Sequence, residues 1–306
     1  MEWHQIVGFH HVAKTGSFTR AAAAAFRTQS ALSQQIKALE DELGCLLFER
    51  IGRKKLRLTQ CGAAFLEFAE EVLDRHALFR DHLNELKGLS GGPMTIAAPF
   101  TTLYHLFPQI LREYLEQCPD VSLTILDRSQ RTAVELVRNG EADFGFALET
   151  AIPGDLVALQ WKKVETVIMA PKGHALAAER RVTLEQVAAH PLILPPKSPD
   201  HPHRLQLEAL LLKRGIDCHV VMESSNVDLS SVYVEMGLGI SFATIAADLP
   251  TLAKRQLEFI SLSHYFSPDY LCIALRKNRS FTGYKRLFLD TLMGASSPTA
   301  NLGHNG

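Results

Sequence analysis

The chain has 306 residues, 46% of them apolar, which is more than one hydrophobic core usually organises and enough to bury two or three. Its formal charge of −1 conceals two acid-free basic stretches: Arg20, Arg27 and Lys37 lie in one, and Arg50, Arg53, Lys54, Lys55 and Arg57 in the other. No apolar run approaches the roughly 20 residues that cross a bilayer, the start MEWHQIVGFHHV lacks a leader pattern, and five scattered cysteines without a CxxC pair argue against a disulfide framework or structural zinc, so a soluble, cytoplasmic protein with reduced thiols and no membrane partner is expected.

Ile6, Phe9, Val12 and Ala13 recur at helical spacing, predicting a first helix from Glu2 to about Lys14 that Gly16 stops. From Ser17 to Glu42 the pattern is two short helices. The first is alanine-rich (Ala21 to Ala25) and capped by Ser17 or Thr19. The second runs from Thr28 or Gln29 to Leu43, with Gly44 as its stop. At 100° per residue, Leu32, Ile36, Leu39 and Leu43 share one face of that second helix. Gln29, Ser30, Ser33, Gln34 and Lys37 share another, with no carboxylate before Glu40. Amides and hydroxyls suit base edges and a lysine suits phosphate or guanine, so this face fits a DNA major groove. A merely solvated polar face is the plain alternative, and the neighbouring segments weigh against it. Leu46, Leu47 and Phe48, then Leu56 and Leu58 around Arg57, predict a two-stranded wing whose basic tip holds Arg53 and Lys54. That tip, with Arg20 and Arg50, suits phosphates or the minor groove.

A long helix is predicted from Thr59 to about Lys87. Phe65, Ala69, Val72, His76, Phe79, Leu83 and Leu86 step by four and three along it, a heptad seam that calls for a second copy of the chain. GLSGGP (Gly88 to Pro93) marks a hinge and domain boundary. Beyond it short apolar strands alternate with helices, the signature of α/β architecture with parallel sheets and a ligand crevice at the strands' carboxyl ends. The last residues, ASSPTANLGHNG, are small and polar, as a disordered tail would be.

Small hydroxyl and amide residues recur in the turns that should face this crevice: Thr101, Thr102, Ser129, Ser225, Asn226 and Thr244, with Ser198 in a proline-rich loop. Each can equally be a helix cap, but together they suit a small polar or anionic ligand. His190, His201 and His203 lack ligand spacing for a metal, and a proline-stiffened loop bordering the crevice is preferred. No nucleophile elbow, Walker A loop, HExxH or dinucleotide fingerprint is present, so neither an enzyme nor a resident cofactor is expected.

The segment FHHVAKTGSFTRAAAAAFRTQSALSQQIKALEDELGCLLFERIGRKKLRLTQCG resembles the amino-terminal region of LysR-type transcriptional regulators. It carries the family's SFTRAA turn, its S-x-L-S-x-Q-I-x-x-LE helix, LFxR and LTxxG. GEADFGFALE and VYVEMGLGISF are similar to segments of the family's effector-binding domain, and ALE followed by DLVALQW resembles the sulfur-assimilation (CysB-like) subgroup. The chain departs from that subgroup at Pro99 and Phe100 and in PPKSPDHPHR, which leaves the effector open. The resemblance implies a winged helix-turn-helix over residues 1–59, a linker helix over 60–88, a hinge at 89–93, and an effector-binding domain over 94–294. That domain would be like a periplasmic binding protein, with two subdomains, followed by the tail 295–306. It further implies double-stranded DNA, a small-molecule effector, a second or further copies of the chain and RNA polymerase as partners. The reading it competes with is a solute-binding or enzymatic α/β protein whose amino-terminal helices serve only assembly.

Overall fold

The structure, a computed structural model, describes residues 1–24, 27–51, 55–86, 91–246, 252–277, 281 and 283–294. Arg53, Lys54, the first part of the expected hinge and the 295–306 tail lie outside the described residues. The chain divides into two compact units, one built on Met1–Leu89 and one on Ser90–Lys277 and Tyr284–Gly306.

In the first unit, helix α1 (Trp3–Thr15) is followed by α2 (Phe18–Ala24) and α3 (Gln29–Leu43). Ser17 supplies the α2 cap, its hydroxyl accepting from the Arg20 amide at 3.4 Å. Thr28 does the same for α3, accepting from the Ala31 amide at 3.3 Å. Strands β1 (Phe48–Ile51) and β2 (Lys55–Leu58) form an antiparallel wing with Phe48 opposite Leu58. The long helix α4 (Gln60–Leu86) then begins. Thr59 caps it, accepting from the Gly62 amide at 3.0 Å while its hydroxyl donates to the Leu46 carbonyl at 2.6 Å. Ile6, Phe9, Val12, Ala21, Ala22, Leu32, Ile36, Leu39, Leu47, Phe65 and Ala69 form one buried cluster. Full burial of each large member is worth about 1.5–3 kcal/mol, which is what holds three short helices together. The small side chains of Ala21 and Ala22 let α2 lie close to its neighbours. Leu43, expected on the buried face of α3, is 41% exposed, because the helix ends there and Gly44 turns the chain away.

The second unit opens with β3 (Pro93–Ala98), α5 (Phe100–His105), α6 (Phe107–Gln117), β4 (Ser122–Asp127), α7 (Gln130–Arg138) and β5 (Phe144–Leu148). A 16-residue strand β6 (Leu156–Pro171) follows, then α8 (Leu184–Ala188), β7 (Leu192–Leu194), α9 (Pro202–Arg214), β8 (Val220–Glu223), α10 (Val227–Glu235), β9 (Ile240–Ala246) and β10 (Leu257–Ser261). β11 (Asp269–Arg276) and α11 (Gly283–Met293) close it. The strand order is β4-β3-β5-β11-β6-β9-β7-β8, with β10 also on β6. β3, β4 and β5 are parallel to one another, as are β7, β8 and β9. β11 runs antiparallel to β5 and β6, and β6 antiparallel to β9 and β10. The expected parallel sheets are therefore the two ends of a mixed sheet. The first half of β6 pairs with β11 and its second half with β9 and β10, so one strand serves both lobes. α5 and α6 are separate helices, since Pro108 has no amide hydrogen to carry the ladder through.

Two motif segments are structural. Asp143 of GEADF accepts from the Thr95 amide at 2.9 Å and pairs with Lys285 at 3.1 Å, both side chains being largely buried. In GLG, a Cβ added at Gly239 would stand 2.5 Å from the Pro191 carbonyl oxygen, so only glycine admits that strand. The described part of the expected hinge is anchored: the Gly92 carbonyl accepts from Ser122, a Cβ on Gly91 would meet the Asp120 carbonyl at 2.4 Å, and Pro93 begins β3.

Candidate functional site

The first candidate surface is the outward face of α3. Leu32, Ile36 and Leu39 are at most 1% exposed and fix the helix rotation. Gln29, Ser30, Gln34 and Lys37 consequently stand in solvent, with Ser33 half-buried beside them. The first acid, Glu40, is turned away: its carboxylate accepts from the amides of Leu47 (2.7 Å) and Phe48 (3.2 Å), tying the end of α3 to the start of the wing. In the sequence Glu40 marks the end of the acid-free run and closes the S-x-L-S-x-Q-I-x-x-LE motif, and neither reading foretells this bracing of the wing. Arg20 is exposed, and its guanidinium donates to the Thr15 carbonyl. Arg50 lies in β1, opposite Leu56. Arg53 and Lys54, expected at the wing tip, fall outside the described residues.

The seam residues divide. Phe65 and Ala69 are buried in the core of their own unit and Val72 packs against it. Phe65 meets Phe9 edge-on at 4.8 Å, and Trp3 covers His76 with ring centroids 4.3 Å apart. Phe79 and Leu86 are 57% and 71% exposed, with Leu83 half-buried between them. The amino-terminal half of the heptad pattern thus serves intramolecular packing, and the carboxy-terminal half stands in solvent.

The second candidate is a cavity of about 550 Å³ in the second unit, within the size range of small-molecule sites. Thr101, Thr102, Ser129, Ser225, Asn226 and Thr244 all line it. Ser198 does not. Its hydroxyl accepts from the Asp200 amide at 3.1 Å and shapes its own turn. The lining comes from the turns after β3, β4, β7 and β8, the carboxyl ends of parallel strands, and from β9, in which Thr244 lies. Ser129 and Asn226 also cap α7 and α10, accepting from Thr132 (3.4 Å) and Leu229 (3.0 Å). Thr102 is buried at the start of α5.

Several lining residues were not singled out from sequence. Gln130 bridges the cavity, its oxygen accepting from the Leu148 amide at 2.7 Å and its nitrogen donating to the Asp200 carbonyl at 3.2 Å. Arg204, 3% exposed, donates to the Pro195 carbonyl at 3.1 Å and pairs with Glu208. His201 and His203 line the cavity, whereas His190 lies against His174 with centroids 4.7 Å apart. The three histidines of the proline-rich region are therefore not brought together. Burial holds His203 and His201 below the usual histidine range, against the pull of Asp269 and Asp200 respectively. Neutral histidines, hydroxyls and helix amino termini around an apolar floor suit a small molecule with a polar or anionic head. Only the proline-rich loop pointed to His201 and His203, and nothing local pointed to Gln130.

A sequence model described as "Bacterial regulatory helix-turn-helix protein, lysR family" matches residues 3–63, and one described as "LysR substrate binding domain" matches residues 87–296. The HTH-type transcriptional regulator CysB of Burkholderia cenocepacia is 30% identical over 289 residues, covering 93% of this chain and 89% of that protein. The HTH-type transcriptional regulator cbl of Escherichia coli is 28% identical, with 90% and 86% covered. Among solved structures, a full-length OxyR variant from Pseudomonas aeruginosa shares the fold with a TM-score of 0.65, at 23% identity and 96% and 98% coverage.

Proposed function

Since the chain belongs to the LysR family of DNA-binding transcriptional regulators, with a helix-turn-helix domain followed by an effector-binding domain, we propose that it reads promoter DNA with the exposed face of α3 and is switched by a small polar or anionic effector in the 550 Å³ cavity. Gln29, Ser30, Ser33 and Gln34 contact base edges. Lys37 takes phosphate or guanine, and Arg20, Arg50, Arg53 and Lys54 lie on phosphates or in the minor groove. Copies of the chain pair through Phe79, Leu83 and Leu86, placing two α3 helices on half-sites of one DNA face. Effector binding favours one arrangement of the oligomer over another, and so changes how RNA polymerase is met at the promoter in the cytoplasm.

The observation that supports this most is the α3 face: exposed, carrying amides, hydroxyls and one lysine, with its nearest acid turned inward. A gel-shift assay at physiological salt tests it, with the protein's own upstream DNA against random duplex of equal length. Retention of the upstream DNA alone is expected, and indifference to both would refute the proposal. A thermal-shift screen of sulfur metabolites, amino acids and aromatic acids tests the effector half, because a ligand of the folded state raises its melting point.

A further inference from the structure

Two thiols outside both sites meet at the base of the wing. Cys45 follows the Gly44 stop of α3, its amide donating to the Glu40 carbonyl at 3.2 Å. Cys61 stands in the first turn of α4. The segment just after Cys45 is fixed against that turn by three contacts. The Thr59 amide donates to the Leu47 carbonyl at 3.1 Å, and the Thr59 hydroxyl donates to the Leu46 carbonyl at 2.6 Å. Gly62 lies so close that an added Cβ would stand 2.0 Å from the Leu47 oxygen. With the backbone so placed, Cys45 and Cys61 come near enough to interact although the whole wing separates them in sequence. Cys61 is exposed and Cys45 is half-buried.

We propose that Cys45 and Cys61 form an oxidisable dithiol, a modification site for hydrogen peroxide, which closes to an intramolecular disulfide across the base of the wing. Cys61 is accessible and attacks first: its thiolate breaks the peroxide O–O bond, becoming a sulfenic acid while the released hydroxide takes up a proton as water. The Cys45 sulfur then attacks the Cys61 sulfur, and its proton leaves with the sulfenic hydroxyl as a second water. Two thiols lose two electrons and one peroxide becomes two waters. The Cys45 thiol is held above its usual range by its interaction with Cys61, then by burial and nearby charge that includes Glu40, which suits it to the second, resolving role. Cys118 and Cys272 are buried, and burial raises both, Cys272 to about 12, so neither competes. The bridge would span contacts that the reduced fold already makes, so it would stabilise the wing without rearranging it.

The full chain is treated with a few equivalents of hydrogen peroxide and digested without reductant. The expected product is a peptide pair joining Cys45 to Cys61, two hydrogens lighter, which dithiothreitol opens. The unfolding transition of the amino-terminal unit should rise by on the order of 10 °C on oxidation. Cys61→Ser should leave Cys45 reduced, and Cys45→Ser should leave a Cys61 sulfenic acid that dimedone traps. A wild-type chain in which Cys218 oxidises while this pair stays reduced would overturn the proposal, as would a Cys61–Cys61 bond between chains. Should either serine variant fail to fold, the wild-type peptide map alone decides.

Discussion

Replacing Glu40 with alanine separates support of α3, the helix proposed to read DNA, from direct contact with DNA. Its carboxylate accepts two backbone hydrogen bonds, from Leu47 at 2.7 Å and Phe48 at 3.2 Å, in a half-buried position. A hydrogen bond to a charged group contributes about 1.5–3 kcal/mol when buried. Partial exposure and the longer second bond bring the expected loss for Glu40→Ala to about 2–4 kcal/mol. For a unit of this size, each kcal/mol shifts the melting temperature by about 4–8 °C, so a fall of roughly 10–25 °C is expected in the transition of the amino-terminal unit. Glu40→Gln keeps an acceptor oxygen and should lose about half as much. Scanning calorimetry of the full chain reads the shift, and a gel shift well below the lowered transition should show near-normal DNA retention. The reasoning fails if Glu40→Ala melts with the wild type yet loses DNA, because the carboxylate would then act at the DNA surface.

Gln34→Ala should leave the melting temperature within about 1 °C and narrow the gap between cognate and random duplex by the about 1–3 kcal/mol of one base contact, measured by competition gel shift. Phe79→Glu with Leu86→Glu should raise the dissociation constant of the dimer at least about 100-fold, because each exposed apolar side chain contributes about 1.5–3 kcal/mol on burial; sedimentation equilibrium measures it. Acidification should destabilise the effector domain. His201 and His203 are held below the ordinary range by burial, so below about pH 6.5 the unfolded chain binds more protons than the folded one, and the stability present above that pH drains as it falls. Replacing both with glutamine should flatten the melting temperature between pH 7 and 5, and an unchanged slope would exclude them as its source.

What was legible in the sequence was local. The spacing of Leu32, Ile36 and Leu39 sets which face of α3 is buried, and therefore which polar residues are exposed, without reference to the rest of the chain. Ser17, Thr28 and Thr59 cap the helices they precede because their hydroxyls reach amides only a few residues away. Crevice turns were legible for the same reason: a parallel strand followed by a helix puts its hydroxyl residues at one end of the sheet. What failed needed a distant partner. Nothing in Leu156–Lys163 announces that β11, more than a hundred residues later, will pair with it and leave the rest of β6 to the other lobe. Ser198 was placed by loop membership alone, and its own turn claims its hydroxyl.

The seam shows a different limit. A stripe at heptad spacing establishes which face of α4 is apolar but not what covers it, and the cores of one chain and of a dimer demand the same residues. Phe65 and Ala69 are claimed by α1 and the wing of their own unit, so substitution there tests folding and not assembly. Among the described seam residues, Phe79, Leu83 and Leu86 are the ones left to test assembly. The same division governs the surface proposed to read DNA. LE and LTxxG look like recognition signatures, yet Glu40, Thr59 and Gly62 all point inward to the wing base. They can therefore stay the same while the α3 face changes, so on the proposed reading substitutions at Gln29, Ser30, Ser33 and Gln34 should alter DNA preference without disturbing what holds the helix in place.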